Sequence, residues 1–172
     1  MQFHNKTYFL AYAGILVTLS LIFSYIEALI PFSLGIPGIK IGIANIVVIT
    51  ALYLLGARAA ICINIVRVFI AGFLFSGVFG ILYSLSGAIF SLAVMILLKK
   101  TGKFSILGVS VAGAVFHNFG QVLMAALLVE TPKMFLYFPL LIFSGIGFGL
   151  LIGLLSTLIL NRLKLSSIGL GS

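Results

Sequence analysis

The chain has 172 residues, 63% of them hydrophobic and 7% charged, with ten Lys or Arg, two Glu (Glu27 and Glu130) and no Asp. A soluble domain carries about 25% charged residues, so this composition excludes a water-covered surface, and the same apolar excess excludes disorder. Ten basic residues scattered among long apolar runs follow membrane topology rather than a nucleic-acid footprint, and the single Cys62 excludes a disulfide framework and a multi-cysteine metal site.

A bilayer-crossing helix needs about 20 apolar residues, and six candidates run along the chain. The first, Tyr8–Ile30, stops at Pro31, because the residue before a proline is pushed out of helical geometry. Residues 32–40 form a loop containing Gly35, Pro37 and Gly38, and the second, short span is Ile41–Leu55. A turn at Gly56-Ala57-Arg58 leads to a third span, Ala59–Phe75, and Ser76-Gly77 turns into a fourth, Val78–Leu98. The charged loop Lys99–Phe104 precedes a fifth span, Ser105–Val129. Glu130-Thr131-Pro132-Lys133 breaks the chain before the sixth, Phe135–Leu160. The expected fold is an all-α integral membrane bundle of about six helices, forming a single domain over residues 1–172.

Charge orients this arrangement. With a cytoplasmic N-terminus, Lys6, Arg58, Lys99, Lys100, Lys103, Arg162 and Lys164 fall inside, whereas Lys40 and Lys133 fall outside. That asymmetry obeys the positive-inside rule and leaves both termini cytoplasmic.

Polar side chains at membrane depth are costly and mark functional sites by default. Arg67 lies halfway along the third span, three residues after Asn64 and on the same helical face. His117 and Gln121 share a face of the fifth span, with Asn118 turned about 100° from His117. Asn45 lies in the outer part of the second span, Glu27 in the last turn of the first, and Lys40 at the outer entrance to the second. Glu27, Lys40, Asn45, Arg67, His117, Asn118 and Gln121 therefore describe a polar pocket biased to the outside and sealed towards the cytoplasm. The structural alternative for each is an ion pair or an interhelical hydrogen bond worth about 0.6–2 kcal/mol. Small-residue stripes, namely Gly145, Gly149, Gly153 and Ser156, then Ser84, Gly87 and Ser91, and Ser20 and Ser24, serve close helix packing or docking of a partner.

The chemistry available is narrow. No phosphate-binding glycine loop is present, so the chain is not its own ATPase. Clustered carboxylates for a metal-held diphosphate cannot be built from two separated Glu. A serine–histidine pair of Ser86 and His117 is the surviving enzymatic reading. The expectation is a non-enzyme with no cofactor and no nucleic-acid partner.

The polar positions also carry a resemblance. Pro37-Gly38-Ile39-Lys40-Ile41-Gly42-Ile43-Ala44-Asn45 resembles the signature of the Gx transporter family, which also appears as heptaprenyl diphosphate synthase component I. Arg67–Gly72, Ser84–Ala88 with Met95, and the stretch from Gly108 to Gln121 agree, so the likeness covers roughly residues 25–125. That family is similar to the substrate-binding S-components of energy-coupling-factor (ECF) vitamin transporters. The resemblance implies a bacterial plasma-membrane protein that captures a small molecule from outside and docks with a transmembrane coupling subunit driven by two cytoplasmic ATPases. The small-face positions on the first span are Gly14 with Thr18 and Ser20 with Ser24. In this reading Arg67 and Lys40 bind an anionic group, His117, Asn118, Gln121 and Asn45 orient polar atoms, Glu27 balances charge, and residues 32–40 form a lid. The other role the resemblance implies is a non-catalytic membrane partner in isoprenoid-quinone, heptaprenyl diphosphate or flavin-linked electron-transfer machinery.

Overall fold

A computed structural model describes residues 6–29 and 42–169. Pro31, Lys40 and the loop 32–40 expected as a lid lie outside the described residues. Within them the chain forms α1 (Lys6–Leu29), α2 (Ala44–Leu54), α3 (Ala57–Ala71), α4 (Gly77–Thr101), α5 (Ile106–Leu128) and α6 (Phe138–Gly169), with no strand. A π-helical turn, Gly72–Ser76, extends α3, and a 3-10 turn, Pro132–Tyr137, leads into α6.

The helix ends fall where the sequence supplies a terminator. Gly56 precedes α3 with φ of +93°, Gly77 opens α4 with φ of +69°, and Gly102 follows α4 in the left-handed region at φ +67°. That conformation suits glycine, which has no Cβ to clash. Ser105 caps α5, its hydroxyl oxygen accepting the Gly108 N–H at 3.2 Å. The break at 130–133 is made by Glu130, at φ +53°, and by Pro132 opening the 3-10 turn.

Among the described residues, four apolar stretches are long enough to cross a bilayer: Phe9–Leu29, Ala57–Thr101, Ile106–Leu128 and Pro132–Leu163. The second of these is a hairpin, because Val68 of α3 packs back onto Ile81, Leu85 and Ala88 of α4. Each arm of the hairpin has about the 20 residues that a crossing needs.

The second expected span requires correction. Its helix is Ala44–Leu54, 11 residues, or about 16 Å at 1.5 Å per residue. That is about half the 30 Å hydrocarbon core. It is apolar on every side and buried from Ala44 to Leu52 except at Asn45, as befits a helix packed within a bundle. Ile49 and Leu52 of α2 join Ile63, Leu92, Met95, Val109 and Ile152 in the main core. α1, by contrast, is mostly exposed along its length and packs its inner face on α2 and α3. The large apolar side chains left uncovered on α1, α4 and α6, such as Leu10, Phe79 and Phe143, face the position of lipid.

The glycine stripe on α6 is occupied by packing inside the chain. A Cβ on Gly149 would stand 2.8 Å from the Val111 Cα, and one on Gly153 3.0 Å from the Leu107 Cα. The close approach is fastened by the Ser110 hydroxyl, which donates to the Gly149 carbonyl at 2.7 Å. α4 meets α5 in the same way, with the Ser86 hydroxyl donating to the Gly120 carbonyl at 2.7 Å. Hydrogen bonds of this kind and small residues are the adhesive of helix pairs in lipid.

Candidate functional site

Six of the seven expected site residues line one cavity of about 250 Å³: Glu27, Asn45, Arg67, His117, Asn118 and Gln121. Lys40 lies outside the described residues. The cavity sits at the end of the bundle where α1 and α3 finish and α2 begins. It reaches the middle of α5 and α6. Towards the opposite end, which carries Lys99, the space is filled by the apolar core of α2, α3, α4 and α5. The bias of polar residues towards one end, expected from their positions in the sequence, is thus a property of the packed bundle.

Glu27 enters from the last turn of α1. Its Oε1 accepts the backbone N–H of Ile43 at 2.8 Å, immediately before the first turn of α2. Gly42, at φ +76°, turns the chain there. A carboxylate at a helix N-terminus satisfies an orphan donor and meets the positive end of the dipole. Glu27 is also the opposing charge that acts on Arg67.

Arg67 is 9% exposed and is held by α3 itself. Its Nε and Nη2 both donate to Oδ1 of Asn64, at 3.1 and 2.6 Å. Asn64 was legible as a polar neighbour on the same face but not as the residue that fixes the guanidinium. On α5, the Asn118 Nδ2 donates to the Leu141 carbonyl of α6 at 2.7 Å, so this side chain both lines the cavity and ties two helices together. Gly145 leaves room for that bond, since a Cβ there would stand 3.1 Å from Asn118 Nδ2.

Gly87 of α4 is the seat of the other two α5 residues. A Cβ at this position would lie 2.9 Å from His117 Cε1 and 3.0 Å from Gln121 Cγ. Gln121 is 1% exposed, and its Nε2 has no hydrogen-bond partner among the described residues. A buried donor left unmade costs free energy, so this side chain favours an acceptor brought to the cavity wall. Ser24 and Ser84 add hydroxyls to the wall; both belong to stripes that sequence spacing identified only as small. Ser86, the nucleophile of the enzymatic alternative, is buried with its hydroxyl directed to Gly120. Among the described residues no three His, Cys, Asp or Glu side chains are grouped as a metal site.

Fold and site together define a helical membrane protein that encloses a polar cavity within an apolar bundle. The chain belongs to the heptaprenyl diphosphate synthase component I family, whose model matches residues 16–159. Comparison with curated proteins and with solved structures finds no match.

Proposed function

We propose that the chain is the substrate-binding membrane subunit of a small-molecule uptake system, with an anionic ligand taken from outside the cell. The observation that carries this reading is the convergence of Arg67, Asn45, His117 and Gln121 from three helices on one cavity at one end of the bundle. A guanidinium offers paired donors to carboxylate or phosphate, and an arginine at membrane depth is costly and marks a functional site by default. The likeness of the polar blocks to Gx transporters, and through them to ECF S-components, supports the same reading. In this reading the chain sits in a bacterial plasma membrane with both termini cytoplasmic and meets a coupling subunit and ATPases there.

The role is non-catalytic. Of the two carboxylates, Glu27 lines the cavity and is engaged by the Ile43 amide, whereas Glu130 lies in the turn after α5. A metal-held diphosphate needs several oxygen ligands together. The family's description nevertheless favours a second reading, in which the chain is a membrane partner of a heptaprenyl diphosphate synthase.

The test is mass spectrometry of small molecules released from the purified protein, with identification of co-purifying subunits. Uptake predicts a bound anion that is lost in Arg67→Ala, together with ATPases and a coupling subunit. Retention of the ligand in Arg67→Ala removes the proposed role of this residue. Recovery with a prenyl synthase subunit and no transporter subunits supports the second reading.

A further inference from the structure

The cavity is asymmetric in what it still has to offer a ligand. A guanidinium carries five N–H donors in a fixed fork and no acceptor. At Arg67 the side edge of that fork, Nε with one N–H of Nη2, converges on Asn64 Oδ1 at 3.1 and 2.6 Å. The end edge, Nη1 with the second N–H of Nη2, has no acceptor among the described residues. Asn64 is 2% exposed and one helical turn away on α3, so it fixes the plane as well as the edge. A second donor, Gln121 Nε2, is buried on the cavity wall without a partner. Glu27, the opposing charge that acts on Arg67, has one carboxylate oxygen, Oε1, engaged by the Ile43 N–H.

We infer that Arg67 receives a two-oxygen anion, a carboxylate or a phosphate, end-on through Nη1 and Nη2. Gln121 donates to a further acceptor of the same molecule, and Asn64 is the positioning residue that selects the edge. The inference rests on the reading of the cavity as a ligand site and adds the geometry and chemical class of what it takes. The size of the occupant follows from the space. About 250 Å³ falls just below the range of about 300–1,000 Å³ typical of pockets for drug-sized ligands, so the occupant is compact. A long polyprenyl chain does not fit inside, and a prenyl diphosphate enters by its head alone.

The chain contains three arginines, Arg58, Arg67 and Arg162, which makes the end edge directly observable. Full-length protein with ¹⁵N-labelled arginine, reconstituted in lipid nanodiscs, is titrated with benzoate, with inorganic pyrophosphate and with farnesyl diphosphate. Arg67→Lys assigns the signals. The expected result is that at least one probe moves the Arg67 Nη signals and leaves its Nε signal in place. Response to benzoate alone assigns a free organic acid; response to pyrophosphate and farnesyl diphosphate assigns a diphosphate head. Asn64→Leu is expected to shift Nε before any probe is added and to weaken the active probe about tenfold or more, as loss of a hydrogen bond to a charged group predicts.

A probe that moves Nε and leaves both Nη signals unchanged overturns the edge assignment while the cavity remains a ligand site. Silence of Arg67 towards every probe, with a co-purified molecule that carries no anionic group found bound in the cavity, overturns the anion assignment alone. Silence together with an empty protein removes both the inference and the reading beneath it. The wild-type titration decides these outcomes even if Asn64→Leu fails to fold.

Discussion

Gly87→Ala is the perturbation that best separates packing from site. The added Cβ would lie 2.9 Å from His117 Cε1, and 3.0 Å from both His117 Nδ1 and Gln121 Cγ, closer than carbon packing permits. Either the two α5 side chains swing away or α4 and α5 part, and overpacking of this kind costs about 1–3 kcal/mol. Replacing a helical glycine by alanine returns about 0.8–1.0 kcal/mol of propensity, leaving a net destabilisation of about 0–2 kcal/mol. Gly147→Ala isolates the second effect, because nothing lies within 4 Å of a Cβ there. The two variants should therefore differ by about 1–3 kcal/mol when unfolded side by side in one detergent. Gly87→Ala should also lose ligand affinity by about tenfold, the cost of one misplaced hydrogen-bonding group, whereas Gly147→Ala should keep it. Equal stability and equal binding in the two variants would refute the reasoning that Gly87 seats the cavity residues.

Three further outcomes follow from the contacts. Lys99→Met loses the hydrogen bond from Nζ to the Leu52 carbonyl and the position 4.8 Å over the Tyr53 ring; it should cost about 1–3 kcal/mol in unfolding, whereas exposed Lys100→Met should be near neutral. Glu27→Ala removes the acceptor of the Ile43 N–H and should cost about 1–3 kcal/mol. Glu27→Gln keeps an oxygen there, so it should retain most of the stability while raising anion affinity in a binding titration, because the negative charge beside Arg67 is gone. Gly149→Ala sets a Cβ 2.8 Å from the Val111 Cα, a backbone atom that cannot rotate away. It should destabilise the protein more than Gly87→Ala does, read by the same unfolding assay.

Much of this was legible because lipid penalises polar atoms so heavily. Arg67, His117, Asn118 and Gln121 stood out from apolar surroundings, and their depth along each run placed them near one end. What was not legible depends on partners distant in the chain. The apolar run ending at Leu55 read as a short span, but with burial on all sides there is no period to show that its helix begins only at Ala44 and reaches half the length of a crossing. Asn118 looked free for a ligand, yet one of its donors is committed to the Leu141 carbonyl across the helix pair. The Gly145–Gly149–Gly153 spacing announced a close approach without naming its object, which is α5 of the same chain.

The half-length of α2 explains two charges that sequence position alone assigned elsewhere. A helix of 11 residues buried in the bundle exposes its first N–H groups and last C=O groups where lipid offers no water to satisfy them. Glu27 of α1 meets the Ile43 N–H at one end, and Lys99 of α4 meets the Leu52 carbonyl at the other. Each charge also matches the sign of the dipole it faces. Lys99, counted among the residues that orient the chain, is therefore also a cap, and Glu27, counted among the ligand groups, is also a structural acceptor. Because Glu27 supplies at once the amide partner of α2 and the counter-charge of Arg67, its two substitutions separate those roles. Glu27→Ala disturbs both, and Glu27→Gln disturbs the charge alone.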